Sequence, residues 1–167
     1  MPVAASILSP IGPELAEPTL AQLALGEQLM VWAFRKRLEG ESRAGTVQRG
    51  FELAGNGPAR HEAHAAFEGL FGLIAAHCRR DLWFHRCGCC CLSADEMAIL
   101  GLIAAQQAGD MASALCSCQS LVAPPVVGEG MRLAERLGRG LAELGLALPL
   151  RWRYVPWRPD PGVARHH

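Results

Sequence analysis

From about Leu20 onward, apolar residues return every three or four positions in one segment after another, and short polar, glycine or proline breaks separate the segments. A period of 3.6 residues lays such positions along one face of an α-helix, so the chain can bury them only by packing helices stripe against stripe. Strict two-residue alternation, the mark of a half-buried strand, is found only in Leu150–Trp157, "LRWRYVPW". The expected class is therefore all-α: a compact bundle of five to six helices with an extended C-terminal arm, divided into a helical domain over residues 1–150 and an arm over 151–167 that packs on the domain or is partly disordered.

The punctuation places the helices. Pro10, Pro13 and Pro18 keep the first residues irregular, and Thr19 is a suitable N-cap for a helix reaching about Leu38, with Leu20, Leu23, Met30 and Phe34 on its stripe and Ala24, Leu25, Val31 and Trp32 beside them. Cations in "RKRLEGES" suit the negative end of that helix, and Gly40 stops it. A second helix is expected over about Thr46–Leu53 and a third from Pro58, with Phe67, Leu70, Phe71, Ile74 and Cys78 as its buried stripe. Ser93 with Glu96 three residues later has the form of a capping box and opens a fourth helix to about Ala108. A fifth follows the Gly109–Asp110 turn as far as Val122, and a sixth spans about Gly128–Leu144.

Between the third and fourth helices lies "HRCGCCCLSADE", in which His85, Cys87, Cys89, Cys90 and Cys91 fall within seven positions. Thiolate and imidazole are the ligands that select zinc, and a tight loop with Cys-x-Cys and a preceding His can supply several of the four donors a tetrahedral site needs. His77 and Cys78, where the third helix leads into this loop, and Cys116 on the fifth helix are further candidate ligands. Cys118 stands two residues from Cys116, about 200° around a helix, so both cannot face one ion. The positive end of the fourth helix would lower the pKa of nearby thiols, which allows a second reading, a redox-responsive thiol protein. In a third, the cysteines are inert and the chain is a protein-interaction domain.

Other features carry less chemistry. His61, His64 and Glu68 share a helical face, but no second such motif exists to complete a di-iron site, and a solvated first turn with a half-buried His64 is the plainer expectation. Adjacent Asp95 and Glu96 are expected to cap a helix. The glycine-rich segments lack the strand and Lys-Ser/Thr context of a nucleotide loop. No nucleophile, base and orienter can be assembled, so a non-enzymatic regulatory or adaptor protein is expected. Trp152, Tyr154 and Trp157, interleaved with arginines, form the candidate surface for a protein partner.

Sixteen basic residues against sixteen acidic ones leave a formal net charge of zero, which gives no reason to expect nucleic acid or an anionic membrane as partner. All but one of those bases is arginine, a bias expected of a GC-rich genome and so discounted as a functional signal. The longest apolar stretches fall short of the roughly twenty residues a membrane span needs, and the start of the chain lacks the basic region of a signal peptide, so a cytoplasmic location with reduced thiols is expected.

Overall fold

The computed structural model describes residues 8–10 and 19–154. Six α-helices follow in order: α1 (Leu25–Leu38), α2 (Ala44–Ala54), α3 (Pro58–His77), α4 (Ala94–Ala108), α5 (Met111–Leu121) and α6 (Val127–Glu143). The all-α bundle expected from the apolar period is the fold. Two three-residue strands accompany it: β1 (Leu8–Pro10) pairs antiparallel with β2 (Trp152–Tyr154), Ser9 opposite Arg153. The segment expected to be irregular around Pro10 is thus the partner of the arm, and β2 runs against α4 and α5. Trp157 lies outside the described residues. Among the described residues no helix is long and apolar enough to cross a membrane.

Helix starts follow the side-chain signals where those exist. Ser93 Oγ accepts from the Glu96 N–H at 3.1 Å while Glu96 Oε2 accepts from the Ser93 N–H at 2.8 Å, so the capping box read from the sequence starts α4. Asp110 caps α5 through Ser113, and Pro58 occupies the first turn of α3, where its missing N–H costs nothing. The first helix departs from expectation. Thr19 caps only a single 3-10 turn, Leu20–Gln22, and α1 begins afresh after Ala24, whose N–H donates to Glu27 Oε2 at 2.7 Å. Leu25, expected beside the stripe, is consequently exposed.

The core gathers Met30, Phe34, Phe51, Phe67, Leu102 and Leu137, all almost fully buried. Phe34 meets Phe67 edge to face with ring centroids 5.0 Å apart, a geometry that suits the ring quadrupoles. Helix α6 lies along α3 and also contacts α4, while α5 folds back on α4. The approach of α6 to α3 is close enough to require glycine: a Cβ on Gly140 would stand 3.0 Å from Ala63 Cβ and 3.1 Å from its Cα and N.

Three buried charges sit on α1: Glu27, Arg35 and Arg37. Glu27 is fully buried and Arg151 Nε stands 3.2 Å from its Oε1 without the alignment of a hydrogen bond, which fastens the approach to β2 onto α1 by charge alone. Burial pushes the Glu27 carboxyl above its ordinary pKa, against the opposing influence of the Ala24 N–H and Arg151. Arg35, one helical turn below Val31, is 3% exposed, and the loop after α3 is built around it.

Candidate functional site

The segment from Cys78 to Leu92 carries no regular element beyond one bridge pairing Cys78 with Val122. Its backbone must therefore find hydrogen bonds elsewhere. At its start, Arg79 N–H donates to Leu121 O and the Ala123 N–H to His77 O, stitching the end of α3 to the end of α5. In its middle, Phe84 stacks on Phe34 with planes 3° apart, and Ser93 Oγ donates to Trp83 O at 2.5 Å. Asp95 then accepts from the Trp83 N–H at 2.6 Å and pairs with Arg80. The adjacent carboxylates of α4 divide their labour: Asp95 ties down the descending half of the loop, and Glu96 serves the cap and Arg35.

Arg35 organises the cysteine half. Its Nε donates to Glu96 Oε1 at 2.6 Å and Nη2 to Glu96 Oε2 at 3.0 Å, a two-pronged pair with both side chains at most 2% exposed. The remaining donors reach Cys91 O at 2.6 Å, Cys89 O at 2.7 Å and Arg86 O at 3.4 Å. A guanidinium has five N–H groups in a fixed fork, and all five are used here. The carbonyl between the two strongest loop contacts, Cys90 O, accepts from the Leu20 N–H at 3.0 Å. Three successive cysteine carbonyls are thus held inward, and a turn closed by Cys89 N–H to Arg86 O carries Gly88 at φ +94°, a conformation that favours glycine. Burial opposes the Arg35 charge, yet the hydrogen bonds and charge of Glu96, with the Cys89 and Cys87 sulfurs nearby, raise its pKa further.

With the backbone fixed, the thiols form a small outward cluster. Cys90 and Cys91 are exposed, Cys87 and Cys89 are half-buried, and the Cys90 and Cys91 Sγ atoms stand 3.9 Å apart. The Cys91 thiol is held above the usual thiol pKa, first by its hydrogen bond to Cys90 and the charge there, then by Cys89. Cys87 is also pushed up, by burial and by the Glu39 carboxylate that its thiol bonds. The lowered thiol pKa expected from the start of α4 is therefore overturned at both positions. The physical reason is that Ser93 Oγ takes the Glu96 N–H at that helix end, while Cys91 is governed by its neighbouring thiols and Cys87 by burial and Glu39.

The other candidate ligands stand elsewhere. His77 is exposed at the last position of α3, Cys78 follows it, and Cys116 is half-buried on α5. Cys118 takes the core-facing position, where burial pushes its thiol up to about 11. Among the described residues no three or more His, Cys, Asp or Glu side chains are gathered in a group that could hold a metal ion, so His85 and Cys87 are not assembled with Cys89, Cys90 and Cys91 into one ligand set. His64 Nε2 lies 3.7 Å from Glu68 and has no hydrogen-bond partner, because Arg37 occupies both oxygens of that carboxylate at 3.0 Å while its guanidinium covers the Phe71 ring. On this face Arg37 engages Glu68 beside His64, and the exposed His61 accepts from Arg60 Nε at 3.4 Å.

Arg35 was missed by the sequence reading, although a signal existed. Glu27, Val31 and Arg35 follow one another at intervals of four, so two charges occupy the apolar ridge of α1. Charged side chains at core spacing are rarely buried without a partner, and here Glu96 and Arg151 are those partners. Compared with known protein families, curated proteins and solved structures, the chain matches none.

Proposed function

We propose that the cysteine loop binds a thiophilic metal ion, zinc foremost, and that the protein is a non-enzymatic, metal-responsive regulatory or adaptor module. The observation that carries this reading is the 3.9 Å separation of the Cys90 and Cys91 sulfurs on a backbone held by Arg35 and Leu20. Around a tetrahedral ion with metal–sulfur bonds of about 2.3 Å, neighbouring sulfurs lie about 3.8 Å apart, so this pair already has the span of one ligand edge. Cys89 adds a third sulfur beside Cys91, and zinc would displace the thiol protons and fix side chains that are otherwise exposed. The redox-responsive reading has weaker support, because attack on an oxidant requires thiolate and the Cys91 proton is held more firmly than usual.

The test uses reduced, metal-free protein titrated with zinc. A Cys89→Ser, Cys90→Ser, Cys91→Ser variant should lose tight binding, whereas Cys78→Ser, Cys116→Ser should retain it. Because protons must leave, binding should weaken as pH falls. Equal zinc affinity in the triple variant and the parent refutes the assignment.

A further inference from the structure

One edge of a tetrahedron is half a site. Cys90 and Cys91 supply it, both exposed; the half-buried Cys89 lies beside Cys91, yet among the described residues no three or more His, Cys, Asp or Glu side chains form a group that could hold a metal ion. We infer that the second edge comes from a second copy of this chain: two Cys90–Cys91 pairs, one from each protomer, close around a single shared zinc ion, and the protein is a metal-bridged dimer. This rests on the metal reading above.

Symmetry favours this occupant. The two opposite edges of a tetrahedron are perpendicular and are exchanged by a two-fold axis through its centre. A two-fold dimer, the commonest closed assembly, therefore generates the missing edge from the same two sulfurs with no new ligand type. The loop is also suited to the role mechanically. Its carbonyls at positions 89, 90 and 91 are all bonded inward, to Arg35 and to the Leu20 N–H, so the thiols leave the surface of a stiff support and can reach an ion beyond the edge of their own protomer. Trp83, on the same loop and 70% exposed, is a large apolar side chain of the kind that interfaces cover. Ligation is a simple exchange: each of four thiols gives its proton to solvent and donates a sulfur lone pair to Zn(II), with no change of oxidation state.

Zinc chloride added to reduced, metal-free, full-length protein supplies the experiment, read by sedimentation velocity and by native mass spectrometry. The expected result is one zinc per two chains, a doubling of the sedimenting mass on zinc addition, and return to monomer with a chelator. Cys90→Ser, Cys91→Ser, whose side chains are exposed and outside the core, should remain monomeric at every zinc concentration, while Cys116→Ser should dimerise as the parent does. One tightly bound zinc per monomer with no change of mass would overturn the shared site and leave the loop as a metal site that its own chain completes. A zinc-dependent dimer that survives the double substitution would overturn it as well. Failure to bind zinc at all would remove the metal reading and the bridge together.

Discussion

Replacing Arg35 by methionine isolates what the buried guanidinium does, because methionine keeps an unbranched apolar stem and removes only the charged fork. The carboxylate of Glu96 would be left with the Ser93 N–H as its remaining hydrogen bond, and the carbonyls of Cys89 and Cys91 would lose their donors. Removing one member of a buried ion pair typically costs about 3–5 kcal/mol, since the other charge stays behind without compensation. The loop carbonyls add less, as the half-exposed loop lets water reach them. A loss of about 3–5 kcal/mol is a fifth or more of the roughly 5–15 kcal/mol that holds an ordinary domain folded. Urea unfolding at neutral pH measures it, and alkylation of Cys90 and Cys91 in the folded state reports on the loop. The double variant Arg35→Met, Glu96→Gln keeps an acceptor for the cap but removes the stranded charge, so it should recover about 1–2 kcal/mol relative to Arg35→Met alone. If the single variant lost less than about 1 kcal/mol, or the double variant were no more stable than the single, the view of Arg35 as the organiser of the loop would be wrong.

Gly140→Ala should destabilise the fold by about 1–3 kcal/mol, because the new methyl meets the Ala63 backbone, which cannot rotate away; a thermal melt measures this. Cys118, ordinarily near 9.0 and pushed to about 11 by burial, contributes stability that is fully present below pH 9 and is lost as pH rises through 11. That loss should reach about 2–3 kcal/mol, and the difference in unfolding free energy between the parent and Cys118→Ala should shrink by that amount between the two pH values. Glu27→Gln keeps an acceptor for the Ala24 N–H without burying a charge, so it should be at least as stable as the parent at pH 7. Since the raised pKa lets the parent carboxyl protonate and gain stability as pH falls towards 4.5, that advantage should narrow in acid, as denaturation curves at the two pH values would record.

The helices were readable because local chemistry marks their ends: Ser93 and Glu96 satisfy each other's backbone donors within four residues, and Pro58 or Asp110 does the same for its own helix without reference to the rest of the fold. The split between the Leu20–Gln22 turn and α1 was not readable, because Ala24 has no capping side chain and the start is fixed by Glu27, an ordinary surface residue in most helices. Pairing of Leu8–Pro10 with Trp152–Tyr154 joins opposite ends of the chain, and three residues of alternation do not name their partner. The cysteine loop was visible as composition, and its geometry was not. What sets that geometry is Arg35, more than fifty residues away, in a chain whose many arginines made any one of them unremarkable. The expectation of acidic thiols failed for a related reason: the N–H groups at the start of α4 have a nearer acceptor in Ser93 Oγ, and the thiols answer to each other, to burial and to Glu39.

The reach of Arg35 across the sequence also orders events in time. Its contacts with the loop and with Glu96 span 51 to 61 residues, so they close only after α1 has found its place beside a formed α4, and closing long loops is what slows folding. Until then the cysteines hang on an untethered strand of chain with no fixed spacing between their sulfurs. The spacing of the thiol pair therefore depends on the docking of α1 against α4, and any chemistry that needs that spacing is withheld from a chain in which the two have not met. A refolding time course should show the Cys90 and Cys91 labelling pattern of the native protein appearing with the slowest phase of helix docking, after most of the helical signal has returned.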